Sequence, residues 1–444
     1  MAYPRVLFVT GHAFNHVTGG GITFSNLFRG WPKDRIATVH HDEVPTSSDI
    51  CDRYFVLGPA QMRLWWPLEL LRCLRVVARS ASALVAPPAQ SQAEKAPQQK
   101  HVGWRRRLMR LALGDSMPDR WVLTPDLEAW IADYRPDVIY TLLGGNGMMG
   151  LLRDIRSRFG IPMVVHLMDD WPQTIYSRGL LARWERSLMQ RLLREHLSKA
   201  ALRFGISDAM CRKFAERYGL PFIPFQNVVE LEKWAALFRS SAESKEPPYR
   251  LLYAGSIFPN AQLQSLLDMC GTVEALNKSG FSVTLEISSP EFLVAPWRRQ
   301  LESSDGVSIS PPIEDDATYF RHISNVDILL LPVNFDAASV TFIRYSMPTK
   351  VPAYLASGTP ILVYGPRGVA QVDYALEWGW GEVVDHRDPA ELASAIRTLL
   401  SNRERREALR RTAQEVARTR HDASRVRTGF QAALASVTPS DSGI

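Results

Sequence analysis

The sequence predicts an α/β protein made of two doubly wound domains that face each other across a cleft. Three observations predict it. Short apolar, β-branched runs alternate with helix-period sequence almost throughout, which is the pattern of parallel strands covered by helices on both faces. The alternation comes in two series, separated by the polar, proline-rich stretch SSAESKEPPY at 240–249. At 444 residues, the chain is too long for one ordinary hydrophobic core.

In the first series the strand candidates are RVLFVT (5–10), DVIYTLL (137–143), PMVVHLM (162–168) and ALRFGIS (201–207). In the second they are RLLYAG (250–255), SVTLEIS (282–288), VDILLLPV (326–333) and TPILVYG (359–365). The domains are therefore expected at 1–238 and 250–418, joined by a linker at 239–249 and followed at 419–444 by a helix and tail that can pack back on the first domain. Residues 81–103 are rich in Ala, Gln and Pro without apolar periodicity, and read as a loop. WRRRLMRLAL (104–113) follows it, with Trp104, Leu108, Leu111 and Ala112 on one helical face and arginines around the others. That face suits a peripheral contact with an anionic membrane, or an ordinary solvated helix.

Composition narrows the class. Apolar residues make up 46% and charged residues 22%, as in ordinary globular proteins. The four cysteines, at 51, 73, 211 and 270, have no paired metal-ligand spacing and read as thiols of a reducing compartment, so a cytoplasmic setting is expected. The opening MAYPRVLFVTG reads as a strand and turn rather than a signal peptide, and no run of about 18 apolar residues suggests a membrane span. A net charge of +6 suits acidic ligands without calling for nucleic acid as a partner.

Candidate site residues gather at the ends of strands. Gly19, Gly20 and Gly21 precede a helix carrying Phe24, Leu27 and Phe28, and a glycine run there lets backbone N–H groups approach an anionic or hydroxyl-rich ligand. The spacing fits neither the dinucleotide fingerprint nor a P-loop. LLGGNGMMG sets Asn146 after a strand, and VVHLMDDWPQTIY carries His166, Asp169 and Asp170 out of another. In open α/β sheets ligands bind at that end, and His and Asp there can accept sugar hydroxyls or move protons. In the second domain, Gly255 and Ser256 follow a strand before a helix expected near Asn260. The stretch SMPTKVPAYLASGTPILVYGP (346–366) brings Ser346, Thr349 and Lys350 to the mouth of a helix expected over 349–357, with Arg344 just before and Pro348 in the first turn. Lysine as a point charge and arginine as a fork are the chemical types that bind a diphosphate.

These residues resemble the GT-B glycosyltransferases, in particular the large retaining family four (glycosyltransferase group 1). The resemblance covers nearly the whole chain. Gly19–Gly21 is similar to the family's N-terminal glycine loop, GISDAMCRKFAERYGLPFIPFQNVVELEKW to its passage into the linker with an Asn such as Asn227, and LLYAGSI to its first C-domain strand. SMPTKVPAYLASGTPILVYGP resembles its donor-binding segment, with two departures: the positions of the family's two glutamates hold Tyr345 and Ala353, and AGSIFPNAQLQ lacks the usual basic pair.

The resemblance implies two Rossmann-like domains and a nucleoside diphosphate sugar as donor. It implies transfer with retention of anomeric configuration and no obligatory metal or other cofactor. The donor would lie mainly on the second domain, against Gly255, Ser256, Arg344, Ser346, Thr349 and Lys350, with Gly20 opposite. His166 is the candidate contact to the donor sugar, with Asp169 beside it in a catalytic role, and Gly19, Gly21, Asn146 and Asp170 would face the acceptor. A glycan or lipid-linked acceptor is expected, in bacterial surface polysaccharide synthesis at the inner face of the membrane. The absent glutamates leave a non-catalytic binding or assembly protein on the same scaffold as an alternative; a different GT-B enzyme, such as a nucleotide-sugar epimerase, is another.

Overall fold

The computed structural model describes residues 3–15, 19–41, 46–64, 69, 119–177, 179–240 and 246–438. The loop expected at 81–103 and the basic helix at 104–113 lie outside the described residues.

The first domain holds a seven-stranded parallel sheet. Its strands are β1 (Val6–Val9), β2 (Ile36–His40), β3 (Tyr54–Val56), β6 (Val138–Thr141), β7 (Met163–Leu167), β8 (Leu202–Gly205) and β9 (Ile223–Pro224), in the order β3-β2-β1-β6-β7-β8-β9. A small antiparallel ribbon, β4 (Met62–Leu64) with β5 (Asp119–Trp121), stands apart from it. The second domain holds a six-stranded parallel sheet. It is formed by β10 (Tyr249–Ala254), β11 (Val283–Ser288), β12 (Val307–Ser310), β13 (Ile328–Pro332), β14 (Ile361–Tyr364) and β15 (Glu382–Val384), in the order β12-β11-β10-β13-β14-β15. In both sheets the order reverses beside the first strand, between β1 and β6 and between β10 and β13. A crevice opens at the carboxyl ends of the strands at such a point, because successive connections leave for opposite faces.

All eight strand candidates form strands. The candidates do not include β2, β3, β9, β12 or β15; in β2, IATVH mixes polar Thr38 and His40 with apolar residues, yet all five residues are buried. Two helix starts move. The helix after β10 begins at Leu263 rather than near Asn260, because residues 259–262 form turns first. The helix in the 346–366 stretch is Val351–Ser357, with Lys350 at its N-cap and Pro352, not Pro348, in its first turn, where a missing N–H costs no helical hydrogen bond.

The chain finishes where it began. After the helices Pro389–Ser401 and Arg403–Val416, a π-turn at Ala417–His421 redirects it, and the last helix, Ala423–Ala435, packs on the first domain. Phe430 is fully buried there, its ring 5.1 Å from Phe28, 5.7 Å from Tyr140 and 5.3 Å from Phe225. At the turn, His421 Nδ1 lies 2.7 Å from the Asn227 carbonyl and Nε2 lies 3.0 Å from the Tyr374 hydroxyl, tying the two domains through one buried ring.

Candidate active site

A cavity of about 690 Å³ lies where the carboxyl ends of the two sheets meet. Gly19, Gly20, Met168 and Asp169 line it from the first domain, and Tyr253, Gly255, Ser256, Ser346, Thr349 and Lys350 from the second. Among the described residues, Asp169 and Lys350 are its charged lining residues.

Lys350 reaches the cavity from just ahead of its short helix. Its ammonium stands 3.9 Å from the centre of the Tyr253 ring, on the electron-rich face. The described residues give it no hydrogen-bond partner and no carboxylate, and burial pushes its pKa down to about 7. Gly255 makes room for it: at φ +151° the backbone favours glycine, and a Cβ there would run into Lys350 Nζ. The Tyr253 hydroxyl donates to the Ser256 carbonyl at 2.5 Å, and the Tyr354 hydroxyl accepts the Ala254 N–H at 3.1 Å. The strand end and loop around the cation are thus held by side-chain hydroxyls.

The opposite wall is the start of the helix Gly19–Phe28. The approach is close, since a Cβ on Gly19 would sit 3.9 Å from Thr349 Cγ2. One turn on, the Thr23 hydroxyl lies 2.7 Å from Asn227 Oδ1, and Asn227 Nδ2 donates to the Met347 carbonyl at 3.1 Å. Asn227 therefore bridges the glycine-led helix to the lysine-bearing segment. Asp169 opens on the cavity past the end of β7, one carboxylate oxygen accepting the Trp171 N–H at 3.0 Å. The protein ringing it raises its pKa, with Asp170 adding to the shift and His12 opposing it.

Five expected site residues do not line this cavity. His166 is fully buried in the aromatic core, with Nδ1 2.5 Å from the Tyr140 hydroxyl and Phe204 packed edge-on. Burial lowers its pKa to about 3, so it stays neutral in the folded protein at ordinary pH. The unfolded chain binds that proton near pH 6.5, so this contribution to stability is lost as pH falls from about 6.5 toward 3. His166→Gln is expected to flatten the fall in melting temperature between pH 6.5 and 4, measured by a scan at each pH.

Asp170 turns away from the cavity into a two-pronged ion pair with Arg217, at 2.7 and 2.8 Å, and is 4% exposed. Asp170→Ala leaves a half-buried guanidinium unpaired. The expected cost is about 2–3 kcal/mol, below the 3–5 of a fully enclosed pair because Arg217 keeps some water. Chemical denaturation measures it; a loss of nucleotide affinity without that destabilisation would return Asp170 to the site.

Asn146 is also structural: its N–H donates to the Tyr176 hydroxyl at 2.9 Å and its Nδ2 to the Glu185 carbonyl at 3.0 Å. Gly21 is packed against Asn15, where a Cβ would collide. Arg344 is exposed at the end of the helix Ala337–Ile343, where its carbonyl accepts the Ala370 N–H at 2.7 Å, and its side chain is not part of the cavity wall. Residues outside the expected set also line it, Tyr253, Tyr319 and Gln371 among them. Tyr253 sits inside the quoted strand end LLYAG, a signal that was legible; the other two are ordinary helix residues by pattern.

Among the described residues, the group with metal-ligand potential is His386, Asp388 and Glu391, none of which lines the cavity. No helix among the described residues is long and apolar enough to cross a membrane.

Known families share this architecture and this sequence. A model described as a glycosyl transferase 4-like domain matches residues 68–228, and one described as glycosyl transferase-like matches residues 270–431, one in each half of the chain. The chain is a GT-B glycosyltransferase.

Solved structures share the transferase's fold over nearly its whole length. The sucrose-phosphate synthase of Thermosynechococcus elongatus is 12% identical, with 98% of this chain and 99% of that chain covered and a TM-score of 0.61. The Anabaena protein HepE, solved with UDP and glucose, is 12% identical over 98% of this chain and 100% of its own, with a TM-score of 0.60. WaaG, described as a glycosyltransferase involved in lipopolysaccharide biosynthesis, is 13% identical over 96% and 98%, with a TM-score of 0.56. No curated protein sequence matches this transferase.

Proposed function

We propose that this transferase moves a sugar, with retention of anomeric configuration, from a nucleoside diphosphate sugar to a glycan or lipid-linked acceptor in bacterial surface polysaccharide synthesis. The observation that carries the donor half is the unpaired ammonium of Lys350 in the cavity between the domains. A half-buried cation with no carboxylate beside it attracts an anion, and a diphosphate supplies the missing charge. The retaining outcome and the acceptor class rest on the resemblance of residues 346–366, and the setting at the inner membrane face on the basic sequence at 104–113.

The transferring bond forms from an acceptor hydroxyl to the anomeric carbon as the bond from that carbon to the diphosphate oxygen breaks. Negative charge collects on the departing diphosphate, where Lys350 stabilises it without a metal ion. Asp169, the carboxylate that the described residues place on the cavity wall, accepts the acceptor hydroxyl's hydrogen bond and can take its proton. Enclosure between two domains keeps water from the donor.

The lateral order of the wall gives the donor a direction. Pro290 follows β11 and Pro312 and Ile313 follow β12, an apolar slot for a flat base. Lys350 and the loop after β10 come next for the diphosphate, and the residues after β14 lie at the far side. A thermal-shift screen of UDP, GDP, ADP, CDP and dTDP tests the reading: one of them raises the melting temperature, and no shift with any of them rejects it.

A further inference from the structure

One polar side chain in the cavity has no task in the mechanism above. Gln371 lies in the first turn of the helix Ala370–Trp378, directly after β14. It is 5% exposed, lines the cavity, and finds no hydrogen-bond partner among the described residues. Its carboxamide opens on the cavity, so a ligand that fills the cavity displaces the water there and has to supply the hydrogen bonds in its place. Carboxamides offer two donors and an acceptor, which matches a hydroxyl that both donates and accepts. An uncharged group with an exposed carbonyl is a poorer match for a phosphate, and Lys350 already serves that charge.

Position separates the sugar from the rest of the donor. From β11, beside the apolar slot, to β14 there are three interstrand steps, through β10 and β13. At about 4.8 Å each, that is about 14 Å along the sheet edge. With the base at the β11–β12 end and the diphosphate at Lys350, what reaches Gln371 is the sugar. The neighbouring Ala370 borders a small pocket shared with Ser207 of the first domain and Met347 of the second, so Gln371 stands at the seam across which the sugar must pass.

We propose that Gln371 is a specificity-determining residue whose carboxamide hydrogen-bonds a hydroxyl of the sugar being transferred. The proposal rests on the donor reading above. A site built to hydrogen-bond a substrate hydroxyl discriminates against an epimer that points it elsewhere, because the buried partner is then left unpaired.

Calorimetry on the full chain, wild type and Gln371→Ala, tests it. UDP, GDP, ADP, CDP and dTDP are titrated first, then the glucose and galactose conjugates of the one that binds. The expected result is that Gln371→Ala binds the bare diphosphate within about twofold of wild type. Its preference for one conjugate over the other falls by about tenfold, the weight of one hydrogen bond. Because Gln371 has no protein partner, the unliganded melting temperature should hold; Gln371→Leu, closer in volume, serves if it does not. Equal loss for bare diphosphate and conjugates, or unchanged epimer preference, overturns the assignment while the donor reading stands. If no diphosphate binds the wild type, the donor reading fails and the assignment with it.

Discussion

Lys350→Met weakens nucleoside diphosphate sugar binding by about 10- to 100-fold and, at the same time, raises the melting temperature of the unliganded protein. The first effect is the loss of a hydrogen bond to a charged group, about 1.5–3 kcal/mol. The second follows from the same burial. Folding holds the Lys350 pKa near 7, against 10.5 for the ordinary side chain. Between those values the unfolded chain binds more protons than the folded one, so stability rises with pH across that window. At or below pH 7 the lysine is charged in both states and the folded protein carries the whole desolvation penalty. Methionine fills similar space without charge, so its advantage is greatest at pH 6.5 and smaller at pH 9. Scanning calorimetry at the two pH values reads the difference, and equal gains at both would remove burial of the cation as its cause. The conjugate's diphosphate does not titrate near neutrality, so its affinity for wild type should decline as pH rises through about 7 and Lys350 loses its proton.

Phe430→Ala destabilises the protein by about 3–5 kcal/mol, the range for emptying a buried aromatic site. The site cannot easily collapse, because Phe430 is enclosed by Phe28, Tyr140, Phe204 and Phe225, residues held on a helix, strands β6 and β8, and the segment after β9. The effect reaches beyond its own helix. Arg427 of the same helix donates to the Asn26 carbonyl at 2.7 Å and pairs with Glu230, and the helix follows directly on His421. Urea denaturation of the variant should show the loss in the transition that reports the first domain, read by the aromatic near-UV signal. A loss confined to the second domain would mean that the terminal helix contributes little to the first-domain core.

The fold was legible because both its signals are local. Eight apolar runs of strand length, separated by helical period, specify parallel sheets whatever their neighbours do. Strand β2 was missed because Thr38 and His40 look polar, and only its place between β1 and β3 buries them. The terminal helix is amphipathic by sequence, but its docking partner is more than 280 residues away at Tyr140 and nearly 400 away at Phe28, and no local pattern carries that pairing.

The site divides in the same way. Gly19, Gly20, Asp169, Gly255, Ser256, Ser346, Thr349 and Lys350 line the cavity. His166, Asp170, Asn146, Gly21 and Arg344 do not. His166 and Asp169 are three positions apart, yet one is sealed beneath the helix layer and the other opens on the cavity. Successive side chains of a strand point to opposite faces, and which face holds the aromatic core depends on Phe204, Phe225 and Phe430 arriving from elsewhere. Gln371 shows the converse, a helix residue turned into the cavity by the β14 connection.

By itself, then, the sequence determined two parallel α/β domains, the crevice at their strand ends and the lysine waiting in it, since period, length and residue chemistry are properties of short stretches. Only the tertiary structure decided which polar side chains face the cavity and which satisfy one another in the core, because that choice is made by the packing of segments far apart in the chain.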